Sequence, residues 1–297
     1  MPEAQREYRD RLFTFIFGSE EHRDWTLSLY NAVNGSDHGD PGDVEITTIR
    51  EVLYLGMHND VSFLLADEMS LYEQQSSYNP NMPLRMLQYA CSLYEKHLRG
   101  HGLNKYGKRL LALPAPRLVV FYNGRDDVPE EGELRLSDSF ADGAEADIEV
   151  RVRLVNVNPG MGEALKRACR PLAEYSWTVE RIRANAAAMS AAEAVDEAIE
   201  SMPDGFVIRP YLQAHKAEVR DMLLTEYNEA EAMELFREEG RAEGREEGRA
   251  EGREEGCEEA TAGYLASLMR TLGLTARQAM DALGIPEADR ARYFTLL

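Results

Sequence analysis

The stretch that decides the fold is NDVSFLLADEMSLYEQQSSYNPNMP, which runs from Asn59 to Pro83. Two apolar runs, DVSFLLA and MSLYEQQ, flank the dipeptide DE, and this pattern predicts a β-hairpin with a tight turn near Asp67. Each run carries an acid where a buried strand would not place one, because Asp60 opens the first run and Glu73 lies near the end of the second. In a hairpin symmetrical about that turn, the two acids oppose each other with Cβ atoms about 5 Å apart.

Two carboxylates that close repel each other unless a cation lies between them. A hard divalent ion bound by carboxylates, a backbone carbonyl and water meets this need, so we predict Asp60, Glu73 and Gln74 as metal ligands. Strand side chains alternate between faces, so Gln75 shares the face of Glu73 and its amide can position a water or a phosphate oxygen. On spacing alone, the alternative interpretation is that Asp60 caps a strand end and Glu73 is a solvated edge residue.

The sequence around the hairpin predicts an α/β sandwich in which helices cover a mixed sheet. Two helical segments precede the hairpin, the second capped by Ser19, and a third helix begins near Pro83. Further strands are predicted for the stretches VEITTI, EVLYLG, RLVVFYNG and IEVRVRLVNVN.

From about Arg170 onward the pattern is helical. We therefore predict four parts: a core of residues 1–170, a helical extension over 171–236 packed on it, a Gly/Arg/Glu segment over 237–259, and a helical tail over 260–297. The third part repeats a four-residue unit, REEGRAEGREEGRAEGREEG. Because each glycine costs about 1 kcal/mol against alanine in a helix, this segment is either a weak, solvated helix or linker, or a self-association helix. We expect a homo-oligomer formed through the C-terminal helical region.

The charge of the chain is unevenly distributed. The formal net charge of −20 argues against a nucleic-acid partner, because phosphates repel acids. However, thirteen Glu against five Arg lie between Glu229 and Glu259, whereas the stretch from Glu95 to Arg117 carries six basic residues and one acid. Within that stretch, Lys105, Lys108 and Arg109 either bind DNA phosphates near the metal or balance an acidic surface.

The cysteine content and the hydropathy of the chain indicate the cellular compartment in which we expect the protein. Cys91, Cys169 and Cys257 are widely spaced and odd in number, so a disulfide framework or a zinc site is not expected. The first residues, MPEAQREYRDRLF, lack the apolar core of a signal peptide, and no apolar run reaches membrane-spanning length. We expect a cytoplasmic protein without membrane contact.

The hairpin pattern resembles the PD-(D/E)XK nuclease superfamily and, more specifically, the recombination-promoting nuclease (Rpn) family, whose members are also described as transposases. The resemblance covers roughly residues 8 to 235 and, more loosely, the tail. Its most specific part is YEQQSSYNPNMPLR. Other matching stretches are YRDRLFTFIFG, WTLSLYNAVNG, NDVSFL, LYEKHL, LVVFYNG, LRLSDSF and VNVNPG.

The resemblance implies a restriction-endonuclease-like mixed sheet flanked by helices and followed by an all-helical C-terminal region. It also implies a DNA endonuclease that depends on Mg²⁺, or on Ca²⁺ or Mn²⁺, and that is linked to recombination and to defence against mobile DNA. By position, Asp60 would be the motif aspartate and Glu73 the acid of the ExK triplet. Gln75 stands at the Lys position, and its neutral amide lacks the charge that Lys would supply.

Two further site residues follow from the resemblance and from position. The family has another acidic or polar residue on its N-terminal helices, for which Asp10 is the candidate, with Glu21 and Asn31 as alternatives. Arg85, at the start of the third helix, either contacts a DNA phosphate or holds the end of the hairpin. Because Gln75 lacks a charge, the competing hypothesis is a weak or inactive nuclease-fold protein that acts as an interaction or oligomerisation module.

Overall fold

The chain forms two compact units, Met1–Glu229 and Ala230–Leu297. The structure, a computed structural model, describes most of the sequence, namely residues 11–48, 60–142, 144–224, 245, 249, 252, 256, 259–294 and 296. The predicted core of residues 1–170 lies within the first unit, and the predicted tail of residues 260–297 lies within the second.

In the described part of the first unit, six strands form one mixed sheet: β1 (Glu45–Ile46), β2 (Val61–Leu65), β3 (Glu68–Gln75), β4 (Ala115–Tyr122), β5 (Glu131–Arg135) and β6 (Arg151–Asn156). Their order across the sheet is β1-β2-β3-β4-β6-β5. The pairs β3–β4 and β4–β6 are parallel, and the other three pairs are antiparallel. This architecture confirms the α/β class and the mixed sheet.

Strands β2 and β3 form the predicted hairpin. Val61 pairs with Tyr72 and Leu65 pairs with Glu68, so the turn consists of Ala66 and Asp67. The turn lies one residue earlier than the DE pattern predicts, because Glu68 already belongs to the strand. Ala66 adopts a left-handed φ of 53°, as the tight two-residue turns of hairpins require.

Helices cover both faces of the sheet: α1 (Arg11–Phe17), α2 (Arg23–Asn34), α3 (Met82–Gly100), α4 (Glu163–Ala168), α5 (Arg170–Ala186), α6 (Ala191–Glu200) and α7 (Arg209–Ala214). Helix α3 packs on one face, where Met86 lies in a cluster with Leu71 and Val120. The opposite face is covered by α1, α2 and α4–α7, and there the rings of Phe13 and Phe121 lie 5.3 Å apart. Helical backbone also covers residues 216–224.

Helices α5–α7 share one apolar core with the N-terminal helices. Tyr175, Val195 and Leu212 are buried in the same cluster as Phe13 and Phe17. The ring of Tyr175 lies edge-on to that of Phe13, with centroids 5.6 Å apart. The helices after residue 170 therefore complete the packing of α1 against the sheet.

Three local expectations differ from the structure. Helix α2 begins at Arg23 after His22. The Ser19 hydroxyl accepts from the Glu21 N–H at 3.3 Å and from the Tyr211 hydroxyl at 3.4 Å, and not from an N–H of α2, so the prediction of Ser19 as N-cap is wrong. Strand β5 is not predicted by the pattern, because only Leu134 of its five residues is buried. Within VEITTI the structure has the two-residue strand β1, and EVLYLG lies outside the described residues.

The second unit is helical where it is described. Helical backbone covers 259–272, α8 covers Ala276–Ala282 and α9 covers Glu287–Phe294. Among the residues of this unit that the structure describes, four are buried in one apolar cluster, namely Leu265, Ala279, Met280 and Ile285. Of the tetrapeptide repeat, Arg245, Arg249, Gly252 and Gly256 have helical backbone, and the rest lies outside the described residues together with the predictions made for it.

Membrane-spanning length and cysteine pairing can be assessed for the described ranges. No helix there is long and apolar enough to cross a membrane. Cys91 is exposed, Cys169 is buried, and both are free thiols. Cys257 lies outside these ranges.

One ion-pair network joins a helix and two strands of the first unit. The Tyr30 hydroxyl, on α2, donates to Glu68 Oε2 at 2.8 Å, and Arg117 Nε, on β4, donates to Glu68 Oε1 at 2.8 Å. The hydrogen bond from Arg117 outweighs partial burial, and with the one from Tyr30 it lowers the pKa of Glu68 below 4.5. Glu68 at the start of β3 is thus fixed in its charged form.

The Glu68→Gln substitution should lower the free energy of unfolding by about 1 kcal/mol near neutral pH, because both hydrogen bonds lose their charged acceptor. A lowered pKa contributes stability that is present above 4.5 and is lost as the pH falls through the folded-state pKa. The difference between wild type and variant should therefore shrink in acid, as measured by urea denaturation. The control is Glu133→Gln, which breaks an exposed pair with Arg135. An equal loss in both variants at neutral pH would contradict the assignment.

Candidate active site

The acid pair, defined as Asp60 and Glu73, lies at the open end of the β2–β3 hairpin. The register that pairs Val61 with Tyr72 sets Asp60 opposite Glu73. The Asp60 backbone N–H donates to Glu73 Oε1 at 3.2 Å, and the Gln74 N–H donates to Asp60 Oδ2 at 2.7 Å. The two acids are therefore neighbours in space, as the hairpin pattern predicts, and backbone N–H groups orient both carboxylates.

Strand alternation directs the site residues toward α3. Leu71 belongs to the cluster beneath α3, so Glu73 and Gln75 point to the same face. The Gln75 amide nitrogen lies 2.8 Å from the sulfur of Met82, the first residue of α3. The Gln74 side chain points to the opposite face, so its backbone is the part that lies beside Asp60.

Glu73 is a buried acid with a perturbed pKa. Its side chain is only 3% exposed. Burial raises the pKa of Glu73 to about 7, although Arg85 and the Asp60 N–H act in the opposite direction. A carboxylate that is held away from water in this way gains most from a cation that stabilises its charged form.

Arg85, in the first turn of α3, is the cation beside Glu73. Its Nη2 lies 3.5 Å from Glu73 Oε2 and donates to the Tyr89 hydroxyl at 2.8 Å. Its Nη1 lies 3.3 Å from the Met82 sulfur. Burial, followed by the charge of Glu73, raises the pKa of Tyr89 to about 12, so this hydroxyl stays protonated. Arg85 thus holds the hairpin end, and its contact with DNA stays a prediction.

The chemistry of the acid pair suits a hard divalent ion. Mg²⁺ binds through one or two carboxylates and keeps several waters, so two opposed acids with a backbone group beside them are an adequate donor set. Within the described ranges, no group of three His, Cys, Asp or Glu side chains is arranged to hold an ion. A metal proposal therefore rests on Asp60 and Glu73, with Gln74 beside them.

The predicted N-terminal acid cannot be compared with the pair, because Asp10 lies outside the described residues. The two alternatives are not brought to the pair. Glu21 is exposed before α2, and the Asn31 amide donates to the His38 carbonyl at 2.9 Å, on the face of the sheet opposite to Glu73.

The basic loop, defined as Lys105, Lys108 and Arg109, lies far from the acid pair. It precedes β4, whose first residue, Ala115, pairs with Glu68 at the turn end of the hairpin, whereas Glu73 pairs with Val120. Five residues of strand separate the two positions by about 17 Å. Lys105 forms an ion pair with Glu95 on α3. The structure does not bring this loop to the acid pair, and DNA contact by the loop stays a prediction.

Sequence reasoning missed two residues of the site, Met82 and Tyr89. They lie three residues before and four residues after Arg85, so all three share one face of α3. This helical spacing was the available signal, because an aromatic hydroxyl and a thioether at those positions can orient a guanidinium.

No protein-family model matches the chain, and neither curated proteins nor solved structures give a match. The Rpn resemblance and the activity that it implies therefore rest on the sequence motifs. The geometry of the acid pair and of Arg85 is independent of that resemblance.

Metal-free protein should lose stability as the pH rises from about 4.5 to 7. The unfolded chain releases the Glu73 proton near pH 4.5, whereas the folded chain retains it up to about pH 7. Between these values the unfolded state binds fewer protons, so its free energy falls relative to that of the folded state as the pH rises. The pKa rises by roughly 2.5 units and each unit corresponds to roughly 1.4 kcal/mol, so the loss should be about 3 kcal/mol. Urea denaturation with a chelator present measures it.

The Glu73→Gln variant cannot titrate at this position, so its stability should change less over the same range. Glu145→Gln, which replaces an exposed acid, should behave like the wild type. If the Glu73→Gln curve ran parallel to that of the wild type, the perturbed acid would have to be a different residue.

Proposed function

We propose that the protein is a divalent-metal-dependent DNA endonuclease with a PD-(D/E)XK-like core, similar to the Rpn family. The observation that carries this proposal is the opposition of Asp60 and Glu73 on one face of the sheet, at the start of α3. The link to recombination or to defence against mobile DNA comes from the sequence resemblance.

The architecture of the first unit supports this proposal. The acids lie on an antiparallel hairpin whose second strand, β3, is central and pairs in parallel with β4. Helix α3 covers the face that carries both acids. A mixed sheet flanked by helices is what the resemblance implies for a restriction-endonuclease-like core.

Asp60 and Glu73, with the Gln74 backbone, would hold Mg²⁺, Mn²⁺ or Ca²⁺. When bound, such an ion polarises the scissile phosphate, lowers the pKa of an attacking water and offsets charge on the leaving oxygen. The chain itself orients both carboxylates through the Asp60 and Gln74 N–H groups, at 3.2 Å and 2.7 Å. Gln75, fixed against Met82, can orient a water or a phosphate oxygen on the same face.

The reaction is a hydrolysis without a redox step. The oxygen of water bonds to phosphorus as one backbone phosphorus–oxygen bond breaks, and the proton from water ends on the leaving oxygen. The chain therefore needs groups that hold and orient the reactants, and it needs no covalent intermediate. Buried, prearranged charges stabilise such a transition state more strongly than solvated ones.

A second candidate is a nuclease-fold protein that acts as an interaction or oligomerisation module. It is favoured by the pairing of Glu73 with Arg85, because these contacts also satisfy a structural role at a strand end. The net charge of −20 also disfavours DNA binding.

Purified protein should nick supercoiled plasmid in the presence of Mg²⁺. Asp60→Asn and Glu73→Gln should each reduce the rate by about 100-fold or more, because even changes outside the ligand set of metal sites cost roughly 10- to 100-fold. Asp147→Asn, at an exposed acid, should cleave at the wild-type rate. Circular dichroism should show equal folding of all four proteins.

Two outcomes would contradict the proposal. The first is cleavage at the wild-type rate by the Asp60→Asn and Glu73→Gln variants, which would reject these two acids as the site. The second is a lack of cleavage by the wild type combined with no calorimetric uptake of Mg²⁺, Mn²⁺ or Ca²⁺, with DNA present or absent. In the second case, the mass of the full chain in solution tests the oligomerisation module.

A further inference from the structure

We propose that Arg85 binds the scissile phosphate and supplies the positive side-chain charge of this site, a role that the neutral amide of Gln75 cannot fill. This inference rests on the proposed function and names a substrate-binding residue for it. It gives Arg85 a second role besides its ion pair with Glu73.

The electrostatics of the site call for such a cation. Asp60 and Glu73 are both acids, and a DNA phosphate that approaches them adds a third negative charge. Within the described part of the chain, Arg85 is the one cation in ion-pair contact with Glu73. With one guanidinium and one divalent ion, the charges of the two acids and of one phosphodiester cancel.

Arg85 lies close to Gln75, which stands at the position where a Lys would supply a positive charge. The Gln75 amide and the Arg85 guanidinium both contact the Met82 sulfur, at 2.8 Å and 3.3 Å, so their nitrogen atoms lie within about 6 Å of each other. A cation on α3 thus lies in the neighbourhood that a cation on β3 at position 75 would reach. The charge has a different origin in the chain but a similar location.

The Arg85 side chain is partly accessible to a substrate. It is 39% exposed, although Glu73 behind it is 3% exposed. The 3.5 Å separation from Glu73 exceeds the roughly 2.7–2.9 Å of a charge-assisted hydrogen bond, so Glu73 does not hold the group tightly. Among the described residues, Nε–H and the second Nη1–H have no acceptor, and the planar fork of an arginine matches phosphate oxygens.

Tyr89 is a positioning residue in this arrangement. Its hydroxyl accepts from Arg85 Nη2 at 2.8 Å, one helical turn further along α3. Its ring also lies beneath the guanidinium carbon, with 5.7 Å to the ring centroid. These contacts restrict the rotamers of a long side chain, so less entropy is lost when a phosphate binds.

The test moves the charge from α3 to β3. Single-turnover cleavage of a duplex oligonucleotide in Mg²⁺ is compared for wild type, Arg85→Gln, Arg85→Lys and the double variant Arg85→Gln/Gln75→Lys. Arg85→Gln should lower the rate by about 10- to 100-fold, since a hydrogen bond to a charged group contributes roughly 1.5–3 kcal/mol. The double variant should recover at least a tenfold gain over Arg85→Gln, because it restores charge at nearly the same location.

The matched control is Arg99→Gln, an exposed arginine on the same helix without an ion-pair partner in the described ranges. It should cleave at the wild-type rate. A purely structural role for Arg85 would not be rescued by the Gln75→Lys change, so absence of rescue overturns the proposal. If Arg85→Gln does not fold, Arg85→Lys and the double variant decide the same question, and inactivity of both folded proteins overturns it.

A binding measurement separates this proposal from the nuclease itself. Fluorescence anisotropy of a labelled duplex in Ca²⁺ should show weaker binding for Arg85→Gln than for Arg99→Gln. The slope of log affinity against log salt concentration should also be smaller for Arg85→Gln, by the amount that corresponds to about one phosphate contact. Equal affinities of these two variants overturn the role of Arg85, whether or not the wild type cleaves. If the wild type cleaves, Asp60→Asn does not, and Arg85→Gln cleaves at the wild-type rate, the nuclease stands and the Arg85 proposal fails.

Discussion

The pairing register of β2 with β3 is the constraint on which the rest of the first unit depends. Side chains of a strand alternate with a period of two, so a slip of β2 by one residue against β3 would move Asp60 to the face opposite to Glu73. It would also remove Val61, Phe63 and Leu65 from the cluster beneath the N-terminal helices, where they are buried. The apolar core therefore enforces the register that sets the two acids against each other.

The same register places the acids at the two ends of β3 in different electrostatic environments. At its start, Glu68 is charged, partly exposed and neutralised by Arg117. Near its end, Glu73 is buried and faces a more distant guanidinium, which leaves its charge poorly compensated. On one strand the fold thus favours the charged form of Glu68 and disfavours the charged form of Glu73. Side chains with strongly shifted pKa values concentrate at functional sites, so this contrast is the arrangement expected of a prearranged site.

The hairpin, α3 and β4 could be predicted from sequence because each has a strong local signal. The two apolar runs fixed the strands, and Pro83 marked the start of the helix. Strand β5 lacks such a signal, because its pairing with β6 depends on tertiary contacts and one buried leucine. The location of the basic loop and the sharing of Met82 by Gln75 and Arg85 depend on how distant segments pack, which no local pattern encodes.

The shared core of α1 with α5–α7 has a consequence for the order of events during synthesis. The ring of Phe13 packs against Tyr175, and the same cluster extends to Leu212. At roughly 5–20 residues per second, the ribosome needs about 10 to 40 s to deliver these partners after α1 emerges. During that interval the apolar face of α1 lacks its cover, and apolar surface that is exposed before folding is complete favours aggregation.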